Sequence, residues 1–278
     1  LYANAAFLGA IGDWTLVNDE LNRRQAWTYG TDLAWGLDGF LGAGSLRDYR
    51  PDAAFKHPIS NYVSAETALT LGTFAITLIP TAGGELLTSL PDQKVVIVPS
   101  LGQYLPDAGS LRGRSPRIEE AIADLQTILD LQPDALVPLN GLPVVGPAQV
   151  AAAATAQRDA LDDIRLQTVQ QMNQGMPEDE IAAAVALPAD LAANPYNREF
   201  AGAVPFLVHA IYHEYLGWFG GNPLELAPTL TEGVKAQVLA DALGGLDNLI
   251  ATATTAELNA RDVAAAERAL YLARSGYV

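Results

Sequence analysis

The sequence predicts an α/β segment over residues 1–148 followed by an all-α helical segment over residues 149–278, and three observations carry that reading. Short β-branched and apolar runs, bounded by Gly and Pro, crowd residues 61–100. One amphipathic helical stretch then separates them from a last short strand, which gives the strand, helix, strand order of an α/β layer. Beyond Gly146 the apolar spacing is helical almost to the end of the chain.

The elements follow in order. Residues 1–60 are rich in loops and aromatics and punctuated by Gly30, Gly36, Gly39, Gly42 and Gly44; a short helix over Asn18–Thr28 fits, with Asn18 as its cap. Tyr62-Val63, Ala68–Leu71, Phe74–Pro80 and Lys94–Pro99 read as strands, with turns at Gly72, Thr81–Gly84 and Pro91-Asp92. Arg117–Leu131 reads as a helix, because Ile118, Ala121, Ile122, Leu125 and Ile128 fall on one stripe. Ala135–Pro138 is the further strand. Pro147–Asn173 is a long helix rich in Ala and Gln; Gly175-Met176-Pro177 ends it, and a new helix starts with the acids Glu178, Asp179 and Glu180 in its first turn. Helices over Phe206–Phe219, Thr231–Leu243, Leu246–Thr254 and Asp262–Ser275 complete the pattern.

Composition excludes several functions. The 278 residues carry 32 acidic and 16 basic side chains, a net charge of −16. So acidic a chain repels a phosphate backbone, and nucleic acid is not an expected partner. The same acidity fits a periplasmic or extracellular setting. No apolar run approaches the length of a membrane span, so no transmembrane segment is expected. With no Cys, thiolate metal sites, disulfides and cysteine catalysis are excluded. The chain opens on Leu1 with no basic and apolar leader pattern, the expectation for a processed precursor or an internal piece.

The most informative stretch is Tyr212-His213-Glu214-Tyr215-Leu216-Gly217-Trp218-Phe219-Gly220-Gly221-Asn222-Pro223. Tyr212, Tyr215, Trp218 and Phe219 follow helical spacing, and the run then breaks at glycines and a proline. The phrase closely resembles the "Y-x-x-Y-L-G-W-F-x-G-N-P" signature in the dimerisation region of the alkylsulfatases of the metallo-β-lactamase type. Other segments agree in order along nearly the whole chain. Asn22–Gly30 is similar to the family's "R-R-x-x-Y-M-Y-G", Gly36–Gly44 to its glycine-rich loop, and Gly72–Asp92 to the strand pair carrying "T-E-A-P-A-E". Ser110-Leu111-Arg112-Gly113 is similar to "T-L-R-G", and Gly175–Ile181 to "G-x-T-P-R-E-I". The resemblance implies the second half of a metallo-β-lactamase-like αββα domain, then a helical dimerisation domain. It does not extend to the family's sterol-carrier-like C-terminal domain.

The same resemblance implies where zinc ligands should stand. The family's H-x-H-x-D-H cluster has no counterpart in this sequence. The first Glu of "T-E-A-P-A-E" falls at Thr81, while the second persists as Glu85. The bridging Glu falls at Ser100. The "H-H-W-P" element reads Asn140-Gly141-Leu142-Pro143, and "S-H-N" reads Pro205-Phe206-Leu207. Zinc needs imidazole, carboxylate or thiolate donors in fixed geometry, and hydroxyl, amide, glycine and phenylalanine do not replace them. Without them nothing lowers the pKa of a bound water. Arg112, at the family's sulfate-contacting arginine, stands as the candidate for a sulfate-like anion; pairing with a carboxylate or capping a helix is its competing role.

The remaining candidates have plainer expectations. His209 and His213 are spaced i, i+4, as metal-binding pairs are, but the family has no ligands there and structural histidines are expected. His57 beside Pro58 is a loop residue. Ser100 and Ser110 have no histidine base nearby. Glu85 after two glycines is a turn or cap residue. Three functions remain in play. The leading expectation is a catalytically degenerate alkylsulfatase-like protein that pairs with itself or a related subunit through Tyr212, Tyr215, Trp218 and Phe219, with no cofactor. The second is one part of a zinc-dependent alkylsulfatase acting on primary alkyl sulfates, its histidine cluster lying elsewhere. The third is a module that binds an alkyl chain or lipid without chemistry.

Overall fold

A computed structural model describes residues 2–5, 20, 59–81, 84–98, 105, 117–139, 142–199, 202–221, 226 and 231–258. The expected helices at Asn18–Thr28 and Asp262–Ser275, the Gly30–Gly44 loop, His57, and the site candidates Ser100, Ser110, Arg112, Asn140 and Gly141 lie wholly or almost wholly outside them.

Two short strands, β1 (Tyr2–Asn4) and β2 (Asn61–Val63), pair in parallel. The main sheet has six strands in sequence order: β3 (Thr67–Leu71), β4 (Phe74–Pro80), β5 (Leu86–Leu90), β6 (Val95–Val98), β7 (Ala135–Pro138) and β8 (Val144–Val145). All neighbours are antiparallel except β6 and β7. That one parallel pair needs a crossover, and helix α1 (Ile118–Leu131) lies between its strands. β6 and β7 alternate, with Val96, Val98, Leu136 and Pro138 buried and their neighbours half-buried. β5 does the same with Leu87 and Ser89. This is the period-2 pattern of a sheet packed more tightly on one face.

α1 buries Ile118, Ala121, Leu125 and Ile128, four of its five predicted stripe residues, and Ile122 packs beside them. α2 (Pro147–Asn173) lies against α1. Its buried face is largely alanine (Ala153, Ala154, Ala156 and Ala160, with Leu161 and Ile164), and such small side chains let neighbouring helices approach closely. α3 (Glu178–Ala184), the single turn α4 (Ala189–Ala192) and α5 (Val204–Leu216) follow. α3 and α5 add Ile181, Leu207, Val208, Ile211 and Tyr212 to the same apolar cluster that holds Leu87, Val96 and Leu136 of the sheet.

One apolar cluster holds residues from both sides of the change to helical sequence at 148–149. The chain forms two compact units, Leu1–Gly221 and Asn222–Val278. In the second unit, α6 (Glu232–Ala242) and α7 (Leu246–Leu258) form a hairpin around Ala240 and Leu249. The Thr231 hydroxyl caps α6 by accepting from the Val234 amide at 3.4 Å.

Several expected helix boundaries move; α7 runs past Thr254 to Leu258, and α5 begins at Val204. The aromatic helix was expected to run to Phe219, but α5 stops at Leu216. Gly217 adopts φ 79 and ψ −158, a conformation open in practice to glycine alone, so the backbone leaves the helix one turn early. Trp218 and Phe219 thus sit on the outgoing segment, their rings edge-on at 6.0 Å.

Candidate functional site

Thr81 follows the last residue of β4 and is buried, at 7% exposure. The turn to β5 closes around it. Its amide donates to the Glu85 carbonyl at 3.0 Å, its carbonyl accepts from the Gly84 amide at 3.2 Å, and its hydroxyl accepts from the Glu85 amide at 3.1 Å. Asn4, on β1, holds the same turn from outside: Nδ2 donates to the carbonyls of Thr81 at 2.8 Å and Glu85 at 2.7 Å. Burial, then repulsion from Glu85 and from Glu120, push the carboxyl of Asp124 on α1 up to about 7, against an opposing pull from Thr81. The corner is a closed turn with a proton-holding acid behind it.

Zinc does not fit at this position. The one side-chain donor of Thr81 is a neutral hydroxyl that already accepts from the Glu85 amide. Among the positions that the resemblance marks for ligands, Phe206 is also described. It is an apolar residue on the outer face of α5, 43% exposed, beside the fully buried Leu207. Among the described residues, no group of three or more His, Cys, Asp or Glu is arranged to hold a metal ion.

The aromatic signature is distributed over three environments. Tyr212 is core, 4% exposed, and burial followed by the Glu178 charge raises its phenol. Gly221 passes so near it that a Cβ there would lie 3.3 Å from the Tyr212 hydroxyl. Glu214 and Tyr215 reach back to the first turn of α1. The Glu214 carboxylate accepts from Arg117 Nε at 2.8 Å and from the Ile118 amide at 3.2 Å, so it caps α1 from a residue 96 positions away. The Tyr215 hydroxyl donates to Glu119 at 2.7 Å; burial and that bond raise its phenol, while Arg165 on α2 lowers it. Trp218 is the exposed member, at 69%. Phe219 is half-buried. Of the four expected contact residues, Tyr212 is spent on the chain's own core and Tyr215 is partly engaged within the chain.

His209 and His213 converge on one atom. His209 Nδ1 lies 2.6 Å and His213 Nε2 lies 2.9 Å from Oε1 of Glu178, the first residue of α3. The Glu178 amide donates to the Gly220 carbonyl at 3.2 Å. The histidines thus fasten α5 to the start of α3. Sequence reading missed Asn4, Glu214 and Asp124. Each is an ordinary polar residue whose partner is distant along the chain, and no local spacing signals it.

Comparison with known proteins places the chain. Residues 177–273 match the Alkyl sulfatase dimerisation family. The chain is 32% identical over 290 residues to the linear primary-alkylsulfatase of Pseudomonas sp. (strain ATCC 19151), an alignment covering 99% of this chain and 53% of that protein. It is 24% identical over 253 residues to an alkyl/aryl-sulfatase of Saccharomyces cerevisiae, covering 86% of this chain and 38% of that one. The chain thus spans about half or less of the length of these relatives. In fold it is similar to the stereoselective inverting sec-alkylsulfatase of Pseudomonas sp., with a TM-score of 0.80 and 23% identity over 96% of this chain and 44% of that one. With the mixed sheet, the helical segment and the signature helix in place, this chain belongs to the alkylsulfatase family and carries that family's dimerisation domain.

Proposed function

We propose that the chain is a catalytically degenerate alkylsulfatase-like protein that serves as a dimerising structural or assembly subunit, without zinc. The observation that carries this reading is the Thr81 corner. The position that resembles a zinc-binding glutamate is a buried hydroxyl engaged by its own turn. A metal arriving there would meet a neutral hydroxyl in place of a carboxylate and would have to break its bond to the turn that joins β4 to β5. The match of residues 177–273 to the dimerisation family supports pairing with an identical or related chain. The acid-rich composition favours a periplasmic or extracellular setting.

A second reading is favoured by one fact: the chain spans 53% of the linear primary-alkylsulfatase it matches. On that reading it is one part of a zinc-dependent hydrolase of primary alkyl sulfates, and the histidine cluster lies on the remainder. Elemental analysis and native mass of the protein from its own source separate the two. No stoichiometric zinc, with a mass of two chains, is the expected result. About two zinc ions per chain, with chelator-sensitive sulfate release from dodecyl sulfate, would establish the second reading and end the first.

A further inference from the structure

The turn that leads toward α5 encloses a polar atom with no protein partner. Asn197 closes the 3₁₀ turn Pro195–Asn197 and is 2% exposed. Its Nδ2 donates to the Leu191 carbonyl at 3.1 Å, while its Oδ1 is buried and has no hydrogen-bond partner among the described residues. The Nδ2 bond fixes the orientation of the carboxamide. Turned over, it would set Oδ1 against the Leu191 carbonyl, acceptor against acceptor. Oδ1 is therefore held in the interior with its lone pairs unused.

The rest of the turn is closely bonded. The Asn197 amide donates to the Asn194 carbonyl at 3.0 Å, and the Tyr196 amide donates to Asn194 Oδ1 at 3.1 Å. Gln157, 1% exposed on α2, donates through Nε2 to the Tyr196 carbonyl at 3.2 Å. The Leu105 amide donates to the Arg198 carbonyl at 3.1 Å. The Leu191 carbonyl also accepts from the Asn194 amide at 3.2 Å, so both of its lone pairs are used. Each of these donors is directed at an acceptor other than Asn197 Oδ1. The segment then delivers α5, whose first amide, that of Val204, donates to Glu199 Oε1 at 2.9 Å.

A buried carbonyl oxygen without a donor has lost its hydration and gained nothing in return. Folded chains meet that need with internal waters, each joining two or more such groups. We infer that Asn197 Oδ1 marks the site of one internal water, which donates one hydrogen to Oδ1 and the other to a carbonyl of the same turn. Asn194 and Tyr196 offer that second acceptor, since the carbonyl of each accepts one of the bonds above and has a further lone pair. A metal cation does not suit the site, because no carboxylate is among these contacts and the carbonyls already accept N–H bonds. The water completes the bonding of the arm from Ala189 to Arg198 and so seats the start of α5, a role independent of zinc and of pairing between chains.

A crystal structure of the full chain that shows ordered water tests the site directly. The expected result is a water about 2.8 Å from Asn197 Oδ1 and within hydrogen-bond distance of at least one backbone carbonyl. An Oδ1 that meets only carbon atoms, a protein donor bonded to it, or a metal ion in that place would overturn the inference. In solution, Asn197→Leu keeps the branching of the side chain and removes both of its polar atoms. If Oδ1 is satisfied by water, the substitution loses two bonds, and amide exchange at Tyr196 and at position 197 should rise about tenfold or more while α1 amides stay unchanged. Exchange that is unmoved or slower would mean that the oxygen was stranded, and the water would be refuted. The crystallographic test stands even if this variant does not fold.

Discussion

Replacing Asp124 by Asn should stabilise the protein at pH 8 and make little difference at pH 4. The folded carboxyl holds its proton up to about 7, because burial and the charges of Glu85 and Glu120 oppose ionisation. In the unfolded chain an aspartate ionises near ~3.9. Between these limits the folded state binds more protons than the unfolded one, so the Asp124 contribution to stability falls as pH rises from about 4 to about 7. It is neutral below that window and fully unfavourable above it. A gap of about three pH units corresponds to about 4 kcal/mol; since Asp124 is only half-buried, solvent screening reduces this to about 2 kcal/mol. Asn has nearly the same size and carries no charge at any pH. Urea unfolding of both proteins at pH 4, 6 and 8 reads the difference directly, since other titrating groups cancel between them. A difference that does not change with pH, or a variant less stable than wild type at pH 8, would refute the reasoning.

Two further outcomes follow from the helix ends. Glu214→Ala should destabilise the protein by about 1 kcal/mol through the lost cap on the Ile118 amide, and hydrogen exchange should rise first at the start of α1; the exposed Arg117 partner adds little. Gly217→Ala should cost about 2 kcal/mol by thermal or urea unfolding although nothing lies within 4 Å of the new methyl, because φ 79 with ψ −158 strains any L-residue.

The sequence showed α1, α2 and β7 nearly to the residue, since each couples a clear period to a clear stop. Leu131 precedes Gln132-Pro133, and Asn173 precedes Gly175 and Pro177. It showed β5 only through resemblance, because Leu86–Leu90 is too short to display its own alternation between two turns. β1 and β8, at three and two residues, carry no period at all. The end of α5 was misplaced for a different reason. Trp218 and Phe219 continue the helical spacing of Tyr212 and Tyr215, and only the backbone at Gly217 reveals that the helix has already ended.

Side-chain type and spacing thus indicated on their own the α/β-then-α order and carried the resemblance to the family signature; it is the resemblance that marks Thr81 and Phe206 as ligand positions. These are local properties: a hydroxyl or a phenyl ring offers zinc no better a donor wherever the fold puts it. Tertiary structure alone decided what those positions do instead. Asn4 reaches the Thr81 turn from 77 residues away, and Glu214 caps α1 from 96. The two faces of α5 were also settled only in three dimensions. Tyr212 and Leu216 are both apolar in sequence, but packing against α2 and α3 buries the first and leaves the second to solvent. In α5, unlike α1, apolar residues lie on both faces, so which of them is buried is decided by the partners in the assembled core.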